Sequence, residues 1–321
     1  MRRTSARMML VAAGLLALWS APSAAAEPTK VVVTIKPLHA LVAQVMAGVG
    51  VPELLVKGSA SPHTYALRPS ETRALHGADL FVRMSETVEP FTARIVRSLP
   101  DTVGVVTLQE APRLKLLSRR THPTFERHNH ANAGNGEHGH GHAPGGSDAV
   151  DGHAWLDPDN AVAMVDRIEQ ALSAKDPANA AAYKTNANAL RAKLEALAAE
   201  LDRDLKPIAS RPYIVFHDAY QYLESRYGLN VVGSISISPE VPASGKRLTE
   251  LRRKIDELGA VCVFAEPQFG TRLVDNLIEG TSARSGTLDP EGGRLEPGPD
   301  LYFTLMRRLA WDLKGCLSPP A

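Results

Sequence analysis

Residues 177–205, PANAAAYKTNANALRAKLEALAAELDRDL, are the stretch on which the fold turns. The larger apolar residues fall at Tyr183, Leu190, Leu194, Leu197, Leu201 and Leu205, and Ala187 completes the stripe. Steps of three and four place all of them on one face of a helix. Asp176 stands where a capping residue belongs, Pro177 suits a first helical position, and Pro207 marks the end. At 1.5 Å per residue the helix is about 43 Å long, more than one small domain needs. The spacing predicts a stiff strut between two lobes, with packing inside a single domain as the competing arrangement.

On either side of this segment, short β-branched runs alternate with amphipathic ones. Residues 30–35 (KVVVTI), 78–84 (ADLFVRM) and 103–108 (VGVVTL) read as strands before it. Residues 213–217 (YIVFH), Val231-Val232, 261–265 (VCVFA) and Thr287-Leu288 read as strands after it. Helical spacing lies between them, as after Pro37, at 89–98 and at 246–258. Such alternation implies βαβ units, and nearly continuous apolar strands imply parallel sheets covered on both faces. The expected class is therefore α/β: two α/β lobes with parallel sheets joined by one long rigid helix. The expected divisions are 27–175, a linking helix over 176–206, and 207–321. No internal repeat is visible.

The first 26 residues read as a leader rather than as fold. Arg2, Arg3 and Arg7 precede an apolar run over 8–19, and Ala24-Ala25-Ala26 offers a cleavage site before Glu27. This implies export to the periplasm; an uncleaved anchor is the alternative, and no Cys near the site could take a lipid. Losing those three Arg takes the net charge from +1 to −2. A near-neutral chain without a basic run argues against nucleic acid as a partner. The only cysteines are Cys262, in a strand-like run, and Cys316, near the end. In an exported chain they read first as one disulfide pinning the final helix to a sheet, worth about 4 kcal/mol in the loop-entropy picture. Two unpaired thiols are the alternative, and without a CxxC a cysteine zinc site is disfavoured.

Residues 121–148 (THPTFERHNHANAGNGEHGHGHAPGGSD) are nearly free of large apolar side chains and read as a loop. They hold His122, His128, His130, His138, His140 and His142, six of the eleven His in the chain. Imidazole is a good ligand for zinc, copper and nickel, so this tract reads as a secondary metal-capturing segment. Three of the remaining His stand in suggestive settings. His63 is in a turn-like SPHTYALRPS, His153 in DGHAWLDP, and His217 ends a strand. Ligands gather at the carboxyl ends of strands in α/β sheets, which favours His217. Asp289, in GTLDP, follows another short strand-like run and is a candidate oxygen ligand. Spacings of 90 and 64 residues carry no local signature, so the residues alone make a histidine site only one reading among several.

SPHTYALRPSE, DGHAWLDP, VFHDAYQYLE, CVFAEPQF and GTLDP, in that order, resemble the metal-binding solute receptors of ABC transporters, and most of all the periplasmic zinc-binding, ZnuA-like type. The resemblance covers nearly the whole chain beyond the leader. It implies that His63, His153 and His217 bind Zn2+ in a cleft between the lobes, with Asp289 or water in the fourth position. Pro62 stands where some zinc-type members carry a ligating Glu. The resemblance also implies two lobes joined by a long helix, a disulfide like Cys262–Cys316, and a His-rich loop at this place. It implies a monomeric receptor, not an enzyme, that hands Zn2+ to an inner-membrane ABC transporter permease. Competing readings are a periplasmic zinc hydrolase, a manganese or iron receptor, and an adhesin or zinc buffer without a permease. Asp218 and Glu266 are candidate partners for the second ring nitrogens.

Overall fold

The structure, a computed structural model, describes residues 29–120, 125, 150–236 and 244–319. Residues 1–26, read above as a leader, and His122, His128, His130, His138, His140 and His142 of the tract read above as metal-capturing lie outside them. The first sheet is built by β1 (Val31–Val33), β2 (Glu53–Leu54), β3 (Leu80–Arg83) and β4 (Gly104–Thr107). Helices α1 (Lys36–Val45), α2 (Pro69–His76) and α3 (Thr92–Val96) connect them. Then come α4 (Pro158–Lys175) and α5 (Ala180–Leu205). The second sheet contains β5 (Pro212–His217), β6 (Asn230–Ser236), β7 (Cys262–Ala265) and β8 (Arg284–Thr287). Its crossovers are α6 (Gln221–Tyr227), α7 (Gly245–Leu258) and α8 (Arg272–Ile278), and α9 (Leu301–Leu317) closes the chain.

Every strand pairing is parallel, and the orders are β2-β1-β3-β4 and β6-β5-β7-β8. The two lobes are wired identically although their sequences share no visible repeat. Topology follows from the succession of apolar runs and from the handedness of crossovers, neither of which needs residue identity. Val31, Val32 and Val33 are all buried, as are all four residues of β7. This is why those strands read as unbroken apolar runs.

The α-helical part of the long segment is Ala180–Leu205, about 39 Å. A 3-10 turn, Pro177–Asn179, precedes it, and another, Lys206–Ile208, follows. Asp176 is the N-cap of the first 3-10 turn, whereas the N-cap of α5 itself is Asn179. Asp176 also closes α4, and its Oδ2 accepts hydrogen bonds from the Asn179 amide at 2.7 Å and the Tyr183 hydroxyl at 2.8 Å. The stripe is buried throughout. It packs on α1 and α4 at one side and on α9 at the other.

One apolar cluster therefore runs from Val33 and Leu41 of the first lobe, through Leu194 and Leu201, to Phe264 and Leu309 of the second. Prising the lobes apart would expose this shared core at about 25 cal/mol per Å². Polar contacts fasten it further. Buried Lys36 donates from Nζ to the carbonyls of Gly292 (3.1 Å), Gly293 (2.7 Å) and Leu295 (2.8 Å). Trp155 Nε1 donates to the Pro290 carbonyl at 2.9 Å, and the Tyr302 hydroxyl to the Trp155 carbonyl at 2.7 Å. A disulfide, Cys262–Cys316, ties α9 to β7. No helix among the described residues is long and apolar enough to cross a membrane.

Candidate metal centre

Both sheets point their carboxyl ends at the interlobe cleft, and three histidines arrive there by different routes. His63 sits in a 3-10 turn, Pro62–Thr64, beyond β2. His153 immediately precedes another, Ala154–Leu156, which leads into α4. His217 is the last residue of β5. In the order β6-β5-β7-β8 the chain switches direction between β5 and β7, where α/β sheets offer a crevice. Gly152 makes the His153 position possible. A Cβ there would lie 2.4 Å from Val88 Cγ2 and 2.6 Å from Thr87 Oγ1, so only glycine lets the chain pass so close to that turn.

The three rings are buried and converge. Nε2 of His153 lies 3.3 Å from Nε2 of His63 and 3.4 Å from Nε2 of His217. One donor atom from each of the three falls within 4.8 Å of the others. Carboxylates hold two of the rings from behind. Asp151 Oδ1 accepts from His153 Nδ1 at 2.7 Å. Glu266, just past β7, accepts from His217 Nδ1 at 2.7 and 2.8 Å. With Nδ1 as donor, the neutral ring directs its Nε2 lone pair into the cleft. Lone pairs facing one another at this distance repel unless a cation sits between them. Zinc–nitrogen bonds of about 2.0–2.1 Å at tetrahedral angles require nitrogens about 3.3–3.4 Å apart, which is the spacing found.

Electrostatics differ from ring to ring. Burial, and then the neighbouring His153 and His217, hold His63 well below the usual histidine range. Burial also works against a charged His217, but the Glu266 carboxylate outweighs it and raises that ring above its ordinary value. Burial pushes Asp151 upward, yet the adjoining His153 brings it below the usual carboxylate range. The rings border a cavity of about 30 Å³, room for an ion with a water-sized companion. Thr87, Val88, Arg119, Arg120 and Asp218 complete its wall.

A family model for the zinc-uptake complex component A, periplasmic (ZnuA), matches residues 31–316. The chain belongs to the ZnuA family. Its similarity to the high-affinity zinc uptake system protein ZnuA of Brucella suis biovar 1 (strain 1330) is 41% identity, over 97% of this chain and 98% of that one. The ZnuA of Paracoccus denitrificans (strain Pd 1222) is 36% identical, over 99% of both chains. Among solved structures, a crystal structure of ZnuA covers 91% of this chain and 100% of its own at TM-score 0.73 and 22% identity. The laminin-binding adhesin Lmb of Streptococcus agalactiae, in a mutant structure, covers 90% of this chain and 100% of its own at TM-score 0.73 and 24% identity. These likenesses concern the fold.

Within this ZnuA-family chain the remaining candidates are placed as follows. Asp289, expected as an oxygen donor, is not in the histidine group. It follows β8, the edge strand, and β7 stands between β8 and β5. Two strand spacings put it about 9–10 Å along the sheet from His217. Its Oδ1 accepts from the Gln268 amide and the Glu291 backbone N–H, and its Oδ2 from the Arg294 backbone N–H, all at 3.3 Å. It borders a separate cavity with Leu305, Leu309 and Asp312. Asp218 holds no ring either, because its carboxylate accepts from Arg120 at 2.8 Å. Asp151 is a ring partner that the sequence shows only as the acid two residues before His153 in DGH. Of the other histidines, buried His39 bonds to the Pro52 carbonyl and exposed His76 to its own helix.

Proposed function

We propose that this protein captures Zn2+ with His63, His153 and His217 and delivers it to the permease of an ABC transporter for zinc uptake. The observation carrying this reading is the pair of Nε2 separations, 3.3 and 3.4 Å, which suit tetrahedral zinc. Three imidazoles without a carboxylate favour zinc over manganese, which takes more oxygens. The zinc uptake systems named for the relatives support zinc as cargo, and the family's description as a component of a zinc-uptake complex supports a partner in uptake. The family's periplasmic description supports removal of the leader and a periplasmic site of action. We read the lobes as 27–175 and 207–321 about the 176–206 helix, and the protein as a monomer.

The chemistry is that of a carrier rather than a catalyst. A zinc hydrolase needs a general base beside the metal. Here Asp151 serves His153, Glu266 serves His217 and Asp218 serves Arg120. Exchange of the ion then proceeds by small movements at the cleft. The shared core across α5 opposes wide opening, whereas the His63 turn lies in a segment with little regular structure.

Competition titration of the purified protein with zinc, manganese, copper and nickel tests the reading. A four-ligand structural zinc site is worth roughly 10–16 kcal/mol, so replacing His63, His153 or His217 with Ala should cost about a hundredfold or more in zinc affinity. A variant that binds zinc as tightly as the parent removes its residue from the site. Co-purification with a membrane permease separates a receptor from a zinc buffer.

A further inference from the structure

Three imidazoles leave one position of a tetrahedral ion to be filled, and the surroundings say by what. Among the described residues, no Asp, Glu or Cys joins the histidine group. The nearest acids are engaged, Asp151 and Glu266 with the rings and Asp218 with Arg120. The residue before His63 is Pro62, and Asp289 faces a different cavity. The described residues thus offer no fourth donor.

The same small cavity is lined by two arginines, Arg119 and Arg120. They are used differently. Arg120 donates to Asp218 at 2.8 Å and to Glu224 at 2.6 Å, and stacks over the Phe125 ring at 4.0 Å. Arg119 is exposed and makes no hydrogen bond or ion pair among the described residues. Its charge nevertheless reaches His63. A cation without a partner among the described residues, set beside a cation-binding pocket, works against the cargo unless something negative lies between them. A guanidinium presents a planar fork of donors that matches a planar oxyanion. A cavity of about 30 Å³ holds an ion together with one small companion.

We propose that the fourth ligand of the bound metal is a small exogenous oxyanion of the bicarbonate or carboxylate type, held in place by Arg119. The proposal rests on the metal-site reading above and names the co-ligand of that same site. The anion lowers the net charge of the filled pocket and bridges the ion to the guanidinium, and its loss would leave the metal with only three ligands.

The full chain loaded with Co2+ provides the test, because tetrahedral Co2+ has visible absorption bands that respond to its fourth ligand. Azide is the probe anion, and bicarbonate and chloride are its competitors. Azide should shift the bands saturably, and bicarbonate should displace it at lower concentration than chloride. The R119A variant should need about ten times more azide or bicarbonate for half-effect, since it loses one charge-assisted hydrogen bond. R119K, which keeps the charge and loses the fork, should fall between. Bands that ignore azide show a position closed by the protein and overturn the proposal. Equal anion affinity in parent and R119A overturns the role of Arg119, and chloride matching bicarbonate overturns the oxyanion class. Failure of Co2+ to bind at all, or only with the histidines unaffected, defeats the metal-site reading itself, a result distinct from these.

Discussion

Glu266→Gln separates two effects that one carboxylate exerts on one ring. Glu266 is 3% exposed and meets His217 Nδ1 with both oxygens, at 2.7 and 2.8 Å. Glutamine keeps the shape and one acceptor but removes the charge. A hydrogen bond to a charged group is worth about 1.5–3 kcal/mol net, roughly twice a neutral one. The substitution should therefore cost about 1–1.5 kcal/mol, or roughly tenfold in zinc affinity, inside the 10- to 100-fold range typical of such outer partners. The pH dependence should change in the opposite sense. Zinc needs neutral imidazole, so protons compete with it as pH falls. In the parent, His217 is raised above its ordinary value of about 6.5, so competition starts above that point. Without the Glu266 charge, burial dominates and the ring loses its proton at lower pH. Chelator-competition calorimetry from pH 5.5 to 8 should show the variant weaker at pH 8 yet with its acid limb displaced downward. Unchanged affinity at pH 8, or an acid limb displaced upward, would refute the assignment of Glu266 as the partner that tunes this ring.

Asp289→Ala should leave zinc affinity within about twofold of the parent by the same titration; a hundredfold loss would return Asp289 to the site. Reducing Cys262–Cys316, which closes a sequence separation of 54, should lower unfolding free energy by about 4 kcal/mol. Urea unfolding with and without reductant measures this, and coincident midpoints would deny the bridge a stabilising role. Deleting 126–148, with five of the six loop histidines, should preserve the tight site but reduce total zinc bound at excess metal; identical stoichiometry would remove the loop from metal capture.

Much of the architecture was readable because it depends on periodicity. The Tyr183 to Leu205 stripe and the apolar runs at 30–35 and 261–265 indicate helix and strand without any long-range information. His217 was readable because it ends a strand. The same logic made Asp289, which also follows a strand, a candidate, and the structure leaves it outside the histidine group. Strand order decides whether two such residues meet, and order lies in pairings between β5, β7 and β8 that no local pattern reveals. Glu266 reaches His217 because β7 is the neighbour of β5, whereas Asp289 is one strand farther away. Asp218, adjacent in sequence to His217, bonds instead to Arg120 in the segment arriving from the first lobe. Asp151 was in view, but its grip on His153 depends on the close passage at Gly152.

The proposed function depends on one ion being held jointly by three rings contributed from both lobes. Crystals of the full chain with one equivalent of zinc, measured at the zinc absorption edge, locate the metal directly. A single dominant anomalous peak is expected about 2.0–2.1 Å from Nε2 of His63, His153 and His217. A peak elsewhere, or one bound by fewer than three of these nitrogens, contradicts the proposed function.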